Sequence, residues 1–345
     1  MAAAAHAGAA AGDGVSALLP AGAEIERAAE LVYAVMPPTP QYAWSLLGER
    51  LAAEVWVKHE DHTPVGSFKL RGGLVYLAAL AAGANRLRGV IAATRGNHGQ
   101  SIALAARRHG LPATIVVPHG NSREKNAAMR GFGATLVEHG DDFQAAFEHA
   151  ERLAAAESLH LVPSYDRGLV VGIATAGREL FRAVPALDRV YVPIGLGSGI
   201  CGMLAAREAL GLATEVVGVV SAHARAYAAS LAENRLVELP STTHLADGMA
   251  VRTPHPESLA ILEQYRIRIL EVTDREVAAA MRTLYECTHN VAEGAGAAAL
   301  AAAEKEREKN AGRRIAVVLT GGNVDRDLFA SVLDQTVDLP RGDPA

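Results

Sequence analysis

The segment from Lys58 to Gly73, KHEDHTPVGSFKLRGG, contains a lysine in a setting where its amine could do chemistry. Lys69 follows Phe68 and precedes a pair of glycines, just after a strand-like run. Such neighbours can partly remove a lysine from water, which lowers the ammonium pKa and frees the amine to form an imine with a carbonyl compound. By spacing alone, an ordinary exposed lysine is an equally good interpretation.

A second segment, Ala93–Ser101, joins a strand-like run to a helical stretch. It contains, in succession, Thr94, Arg95, Gly96, Asn97 and His98. Backbone N–H groups at the start of a helix bind anions well, carboxylates included. The alternative is a tight turn closed by an asparagine cap.

A third segment, Pro193–Met203 or PIGLGSGICGM, is a glycine-rich loop between a strand-like run and a helix. Glycines let the backbone curl around a phosphate group. The spacing Gly197-x-Gly199-x-x-Gly202 also matches the dinucleotide fingerprint, which requires an acidic residue at the end of the next strand. That strand ends in Val220-Ser221, so a nicotinamide enzyme is not favoured.

Short β-rich runs alternate with Ala-rich helical stretches along the chain. The predicted strands are Glu54–Glu60, Gly89–Thr94, Ala113–Pro118, Ala134–His139, His160–Pro163, Arg189–Gly195, Glu215–Ser221, Ile267–Thr273 and Arg314–Thr320. Their continuous apolar character is typical of parallel strands buried on both faces. Two such series predict two α/β domains with a cleft between them. The stretch Ala297–Lys309 reads simply as a good exposed helix.

Composition narrows the classes of function. The 345-residue chain is half hydrophobic and carries a net charge of −5 without a block of Lys or Arg, which disfavours nucleic acid and anionic membranes as partners. No apolar run is long enough to span a bilayer. Two distant cysteines, Cys201 and Cys287, favour a reducing cytoplasm. Residues 1–20 are interpreted as a leader without fixed structure, since the basic start of a signal peptide is missing.

Taken together and in order, these segments resemble the fold-type II pyridoxal-phosphate (PLP) family that contains the threonine and serine dehydratases and the serine racemases. The resemblance extends from about Ala34 to Leu333. Its most specific part is the segment around Lys69, followed in family order by Gly96-Asn97-His98, the Gly195–Gly199 loop, Asp247-Gly248, the run from Ala292 to Ala297, and Gly321-Gly322-Asn323.

The resemblance implies a fold of the α/β class with two doubly wound parallel-sheet domains, as in the tryptophan synthase β-subunit. Residues 21–88 and 165–345 would form a large PLP-binding domain, and residues 89–164 a small domain. The cofactor would lie between them, and the chain would form a homodimer with small amino acids as substrates.

The resemblance also implies roles for individual residues. Lys69 would hold PLP as a Schiff base and act as the base at the substrate Cα, with Phe68 packed beside it. Asn97 would bind the cofactor's ring hydroxyl, Thr320 the ring nitrogen, and Glu293 would lie near the ring. The phosphate loop would be Gly195, Leu196, Gly197, Ser198 and Gly199. The substrate carboxylate would be held by Ser67, Thr94, Gly96, Asn97 and His98.

A neutral hydroxyl at the ring nitrogen makes the cofactor a weaker electron sink than a carboxylate would, which favours rapid loss of a β-substituent. The resemblance therefore implies elimination of water from a β-hydroxy L-amino acid of the threonine or serine type, giving a 2-oxo acid and ammonia. The alternatives are a dehydratase for phenylserine or 3-hydroxyaspartate, or an amino-acid racemase.

Arg95 departs from the family pattern, where Ala or Ser is usual and racemases need a Ser as second base. A guanidinium is always protonated and is a poor base, which argues against a racemase. Two interpretations stay open: Arg95 turns outward or pairs with an acidic neighbour, or it reaches an anionic or aromatic substrate side chain.

The run His59-Glu60-Asp61-His62 has the composition of a metal site. Neighbours on a strand point to opposite faces, and the helical spacing of zinc motifs is missing, so we predict no metal here. The family's cation site is also expected to be missing, because Ser221 is followed by Ala-His-Ala rather than by acidic residues. The chain ends soon after Asn323, so no C-terminal regulatory domain is expected.

Overall fold

A computed structural model describes residues 18–83 and 87–339. The predicted leader, residues 1–20, therefore falls mostly outside the described residues. Of its last three residues, which are described, Leu19 is buried in a hydrophobic core. Within the described part, two sheets are flanked by helices, as the sequence pattern predicts.

The larger sheet has six strands in the order β1-β2-β10-β7-β8-β9. Their bounds are β1 Gln41–Ala43, β2 Glu54–His59, β7 Arg189–Pro193, β8 Glu215–Ser221, β9 Arg268–Val272 and β10 Arg314–Leu319. All neighbours are parallel except β1, which pairs antiparallel with β2. The sequence pattern did not predict β1, because three residues are too few to show an alternation.

The smaller sheet has four parallel strands in the order β5-β4-β3-β6. Their bounds are β3 Val90–Ala93, β4 Ala113–Val117, β5 Thr135–Glu138 and β6 His160–Leu161. The nine predicted strands are all present, most of them shorter than predicted by one or two terminal residues. The domain boundaries at residues 88/89 and 164/165 stay a prediction.

Helices connect the strands. Their bounds are α1 Gly22–Tyr33, α2 Ser45–Leu51, α3 Lys69–Ala82, α4 Asn97–Arg108, α5 Arg123–Gly131, α6 Phe143–Glu157, α7 Arg167–Ala183, α8 Ser198–Ala209, α9 Ala226–Glu233, α10 Pro256–Gln264, α11 Asp274–Thr288, α12 Gly294–Lys305, α13 Arg307–Asn310 and α14 Arg326–Leu333. In the described part of the chain, none of these helices is long and apolar enough to cross a membrane.

Both sheets are buried on two faces, which explains their unbroken apolar strands. In β10, Ile315, Val317 and Leu319 pack into one core with α11 and α12, whereas Ala316 and Val318 pack into another with α7 and α8. The same alternation in the small sheet separates a core shared with α3 and α4 from one shared with α6. The fold is therefore the doubly wound α/β type that the sequence predicts.

Helix α12 corrects one prediction. The Ala-rich stretch was expected to form an exposed helix, but the residues from Gly294 to Ala303 are all buried, and α12 packs on β7, β8, β9 and β10. Alanine is a strong helix former in either setting, so propensity does not report burial. Only the last two residues of α12, Glu304 and Lys305, escape full burial.

A cluster of four buried charges joins β2, α3 and α7. The guanidinium of Arg71 donates to Glu60 (2.6 and 2.9 Å) and to Glu179 (2.6 and 2.8 Å). Lys58 donates to Glu179 at 2.6 Å and to the Thr39 carbonyl at 2.8 Å. The two cations and two carboxylates balance, and each charge is hydrogen-bonded, which a buried ion requires.

Burial and the neighbouring charges of opposite sign act in opposite directions on the pKa values of Glu60 and Lys58. Burial acts to raise the pKa of Glu60, but the charges of Arg71 and Lys58 outweigh it and hold that pKa below its ordinary value. Burial lowers the pKa of Lys58 despite its two carboxylate neighbours.

We expect Arg71→Met to destabilise the protein by about 3 to 5 kcal/mol, because two buried carboxylates lose their shared partner. Chemical denaturation followed by circular dichroism measures the change. The matched control is Arg50→Met, which breaks an exposed ion pair with Glu304. It is expected to cost about 1 kcal/mol or less. Equal effects of the two substitutions would contradict a structural role for the buried cluster.

Candidate active site

Three of the chemistry-bearing segments leave adjacent strands of the large sheet. The Lys69 segment follows β2, Thr320 follows β10, and the glycine loop follows β7, and these strands are neighbours in the order β2-β10-β7. Because the three strands are parallel, their carboxyl ends meet at one edge, where open α/β sheets bind ligands. The fourth segment follows β3 of the small sheet.

The turn before Lys69 is fixed to the turn after β10. The Phe68 N–H donates to the Thr320 carbonyl at 3.0 Å, and the Gly322 N–H donates to the Gly66 carbonyl at 3.0 Å. Between them, Ser67 forms an isolated bridge with Gly321. The Ser67 side chain is fully buried, and its hydroxyl has no hydrogen-bond partner in the described part of the chain. A buried, unused hydroxyl fits a group that meets a ligand.

Lys69 is the first residue of α3. Its Nζ donates to the Ser198 hydroxyl at 3.3 Å and lies 5.1 Å from the centre of the Phe68 ring. Burial lowers the pKa of Lys69 to about 8. The arrangement therefore brings the amine close to the pH at which it is neutral and nucleophilic.

The glycine loop is built for close backbone approach. A Cβ at Gly195 would come within 2.3 Å of the Gly248 carbonyl oxygen. Gly197 has φ +94°, and a Cβ there would meet the Ser258 side chain at 2.6 Å. Ser198 begins α8, so the loop ends at a helix N-terminus, where backbone N–H groups favour an anion.

Three residues from outside the motif support this loop. The Tyr227 hydroxyl donates to the Leu196 carbonyl at 2.9 Å and lies 2.5 Å from the Ser258 hydroxyl. The His255 N–H donates to the same Tyr227 oxygen at 3.0 Å. The backbone of Leu196 is therefore held by a tyrosine.

On the small-sheet side, Thr94 organises the start of α4. Its hydroxyl oxygen accepts the N–H groups of Gly96 at 2.9 Å and Gly99 at 3.4 Å. The Gly96 N–H thus has an acceptor within the protein, and its role in binding a carboxylate stays a prediction. The N–H groups of Asn97 and His98 lie in the first turn of α4, where a helix provides no acceptor of its own.

The His98 side chain is buried beneath this turn. Burial, together with the charge of Lys69, lowers the pKa of His98 to about 3, although a hydrogen bond to the Val162 backbone opposes the shift. The imidazole is therefore neutral at physiological pH. Its Nε2 atom has no partner among the described residues.

Asn97, Glu293 and Lys125 form a chain of contacts between the two sheets. The Asn97 amide donates to Glu293 at 2.5 Å, and Lys125 donates to the other oxygen of Glu293 at 3.1 Å. Asn323 donates to the Asn97 oxygen at 2.8 Å. Burial acts to lower the pKa of Lys125, but Glu293, Asp247 and Asp325 outweigh it and raise that pKa.

Arg95 lies in the same region with a different partner. Its Nη1 is 3.7 Å from a carboxylate oxygen of Asp247, and the two side chains are 48% and 41% exposed. At this distance and exposure the pair is weak. The first interpretation of Arg95, pairing with an acidic neighbour, describes its position here, but the weak contact leaves the guanidinium free to accept another anion.

Sequence reasoning missed several of these residues. It gave no role to Lys125, Asn323, Tyr227 or Ser258, although the Gly-Gly-Asn turn itself was noted. Lys125 follows a Ser cap at the start of α5 and looks like any helical lysine, so no local signal separates it from solvent-exposed ones. The Asp247-Gly248 motif now has a physical reason, since the Gly248 carbonyl abuts Gly195.

The His59–His62 run also differs from expectation. The strand ends at His59, and the chain then turns, so the alternation of strand side chains does not extend to Asp61 and His62. Ligand atoms of His59, Asp61 and His62 lie within 4.8 Å of one another. The expectation that they point to opposite faces is therefore wrong.

We expect Lys69 to react with acetic anhydride at a rate that rises with pH through about 8. Only the neutral amine is nucleophilic, and a lowered pKa moves its appearance downward from that of an ordinary lysine, about 10.4. Mass spectrometry of protein pretreated with hydroxylamine, which removes carbonyl ligands, gives the rate. Nα-acetyl-lysine amide in the same tube is the reference, and an identical pH profile would contradict desolvation of Lys69.

Comparison with known proteins agrees with this geometry. A family model described as pyridoxal-phosphate dependent enzyme matches residues 32–321. The chain is 34% identical to the biosynthetic L-threonine dehydratase of Haemophilus influenzae, over 91% of this chain and 60% of that one. It is 31% identical to the L-threo-3-hydroxyaspartate ammonia-lyase of Saccharomyces cerevisiae, over 88% of this chain and 93% of that one.

Among solved structures, the processed form of threonine deaminase isoform 2 from Solanum lycopersicum superposes with a TM-score of 0.85 at 29% identity, covering 93% of each chain. The chain spans about 60% of the length of the first curated relatives it matches. The matched region includes Lys69, Thr94, the glycine loop and Thr320. The chain belongs to the family of pyridoxal-phosphate dependent enzymes.

Proposed function

We propose that this chain is a PLP-dependent ammonia-lyase that removes water from a β-hydroxy L-amino acid of the threonine or serine type, giving a 2-oxo acid and ammonia. The observation that carries the proposal is the Lys69 amine, which begins α3 beside the glycine loop with a pKa lowered to about 8. The named activities of the H. influenzae and S. cerevisiae relatives support the reaction class.

The residues present fit the cofactor. Gly195 and Gly197 lie too close to Gly248 and Ser258 to carry a Cβ, and their loop ends at the N-terminus of α8, which suits a phosphate group. The Ser198 hydroxyl adds a polar group at the same place. Lys69 supplies the amine, and Thr320, Asn97 and Glu293 are the groups we assign to the ring nitrogen and its surroundings.

The bound cofactor supplies an electron sink that acidifies the substrate's Cα–H bond. We assign the removal of that proton to the Lys69 amine, because desolvation favours its neutral, basic form. The Ser67 and Thr94 hydroxyls and the free N–H groups of Asn97 and His98 are the donors we assign to the substrate carboxylate. A carboxylate in this position would satisfy the buried Ser67 hydroxyl.

Thr320 and Glu293 have separate assignments. A threonine at the ring nitrogen provides a neutral partner, which limits the stability of a carbanion and favours loss of the β-hydroxyl. The charge of Glu293 is balanced by that of Lys125, so the pair adds little net charge near the ring, and the Glu293 carboxylate also accepts a hydrogen bond from Asn97. Racemase activity is disfavoured because Arg95, a poor base, stands where racemases have a serine.

Lys69→Ala is expected to lower kcat for elimination by at least about 10³-fold, since the variant loses both its imine-forming amine and its base. Release of 2-oxo acid and ammonia from L-threonine and L-serine is the measurement, with circular dichroism to confirm folding. Lys305→Ala, which removes an exposed lysine, is the control. Undiminished activity of Lys69→Ala would refute the assignment of the base.

A second candidate substrate class is favoured by Arg95. Its contact with Asp247 is long and half exposed, so a carboxylate on the substrate side chain could displace Asp247 at little cost. This arrangement suits a β-hydroxy amino acid with an acidic side chain, the class in the name of the S. cerevisiae relative. An aryl side chain stacked on the guanidinium is the other possibility.

If Arg95 contacts the side chain of the substrate, we expect Arg95→Ala to change the order of kcat/KM values among substrates. The panel is L-threonine, L-serine, both 3-hydroxyaspartate diastereomers and L-threo-phenylserine, compared by kcat/KM. Loss of one bidentate ion pair would lower kcat/KM for the preferred acidic substrate by about tenfold or more and leave that for serine unchanged. Arg123→Ala, at an exposed pair with Asp327, is the control. An unchanged ranking would return Arg95 to a structural role.

Two finer proposals accompany this function. A homodimer follows from the family resemblance and is testable by light scattering. A cytoplasmic location is supported by Cys201 and Cys287, which are both free thiols in the structure.

A further inference from the structure

Three potential ligand side chains converge where β2 ends. His59 is the last residue of β2, and Asp61 and His62 lie in the turn that follows. The His59 Nδ1 atom is 3.4 Å from Asp61 Oδ1, and the His62 Nε2 atom is 3.4 Å from Asp61 Oδ2. The carboxylate of Asp61 is thus placed between two imidazoles.

Two atoms of this group are buried without a hydrogen-bond partner in residues 18–83 and 87–339. They are His59 Nδ1 and Asp61 Oδ1, on side chains that are 0% and 8% exposed. Leaving a buried polar atom unsatisfied costs about 1 to 3 kcal/mol, so each such atom in a native protein calls for an explanation. The two atoms lie 3.4 Å apart but do not form a hydrogen bond with each other.

Neighbouring groups fix the two rings. The Trp44 indole N–H donates to His59 Nε2 at 3.1 Å, so the ring hydrogen of neutral His59 lies on Nδ1. His62 Nε2 lies 2.8 Å from Asn290 Oδ1. The Asn290 amide nitrogen donates to the Thr288 carbonyl at 2.8 Å, which keeps its oxygen directed at His62.

We propose that this group, His59, Asp61 and His62, binds a divalent transition-metal ion of the Zn²⁺ type. Two imidazole nitrogens and a carboxylate are a ligand set typical of zinc, and the Asn290 oxygen lies 2.8 Å from His62 Nε2 as a further oxygen beside the group. His62 is 42% exposed, which provides a route of entry and leaves a coordination position open to water.

Metal binding releases no proton, because His59 and His62 each change their tautomer. The ion takes the place of the hydrogen on His59 Nδ1, and that hydrogen moves to Nε2. Likewise, the hydrogen on His62 Nε2 moves to Nδ1. The Trp44 indole then loses its acceptor on His59, so metal binding must alter the surroundings of Trp44.

The site is connected to the cofactor-binding edge of the sheet. His59 pairs with Leu319 of β10, and the Glu60 N–H donates to the Leu319 carbonyl at 2.9 Å. A Cβ placed on Gly322, in the turn after Thr320, would lie 3.5 Å from the Asp61 Cβ, so the two turns are neighbours. An ion at this site would tie the end of β2 to the turn that presents Thr320, a stabilising role that does not depend on the proposed reaction.

The test is calorimetric titration of the holoenzyme with Zn²⁺ alone, in buffer free of amino acids and phosphate, accompanied by Co²⁺ absorption spectra. We expect one ion per chain. His62→Ala and Asp61→Asn are each expected to weaken binding by at least about tenfold. His289→Ala removes an exposed histidine near Asn290 that belongs to no ligand group, and it is expected to leave the affinity unchanged.

Tryptophan fluorescence provides an independent readout, since the chain contains two tryptophans, Trp44 and Trp56. Zn²⁺ is expected to change the emission of the parent protein and of Trp56→Phe, but not that of Trp44→Phe. Three results would overturn the site: no bound ion in the holoenzyme, undiminished affinity in His62→Ala, or an equal loss of affinity in His289→Ala.

Discussion

The buried charge cluster around Arg71 is the constraint on which the active-site geometry depends. Arg71 lies on the first turn of α3, two residues after Lys69, and its guanidinium binds carboxylates from β2 and α7. Four buried charges tolerate little displacement, because each loses its compensation when it moves. The start of α3, and with it the Lys69 amine, is therefore fixed relative to the large sheet by electrostatics as much as by apolar packing.

Opposite charges also define how the two sheets face each other. Arg95 and Lys125 come from the small-sheet side, and Asp247 and Glu293 come from the large-sheet side. The buried Lys125–Glu293 pair holds the two sides together, whereas the half-exposed Arg95–Asp247 pair is weak.

The separation of two residues along the chain decides whether the sequence could predict that they act together. Lys69, the glycine loop and the start of α4 are runs of consecutive residues at strand ends, so the sequence displays them directly, although spacing alone left the role of Lys69 open. Contacts such as Lys125 with Glu293, 168 positions apart, leave no trace in either local sequence. The His59 group was misjudged for a local reason, since the strand pattern does not show that β2 stops one residue before Glu60.

Helix α12 has a consequence for the precision of the site. Its buried face consists almost entirely of alanine and glycine, which have no side-chain rotamers to lose when the helix docks on the sheet. Small side chains also let the helix and sheet backbones approach closely, so the interface has few soft degrees of freedom. Glu293, at the N-cap of this helix, is consequently carried by a nearly rigid body, and its carboxylate keeps its place without a large entropic cost.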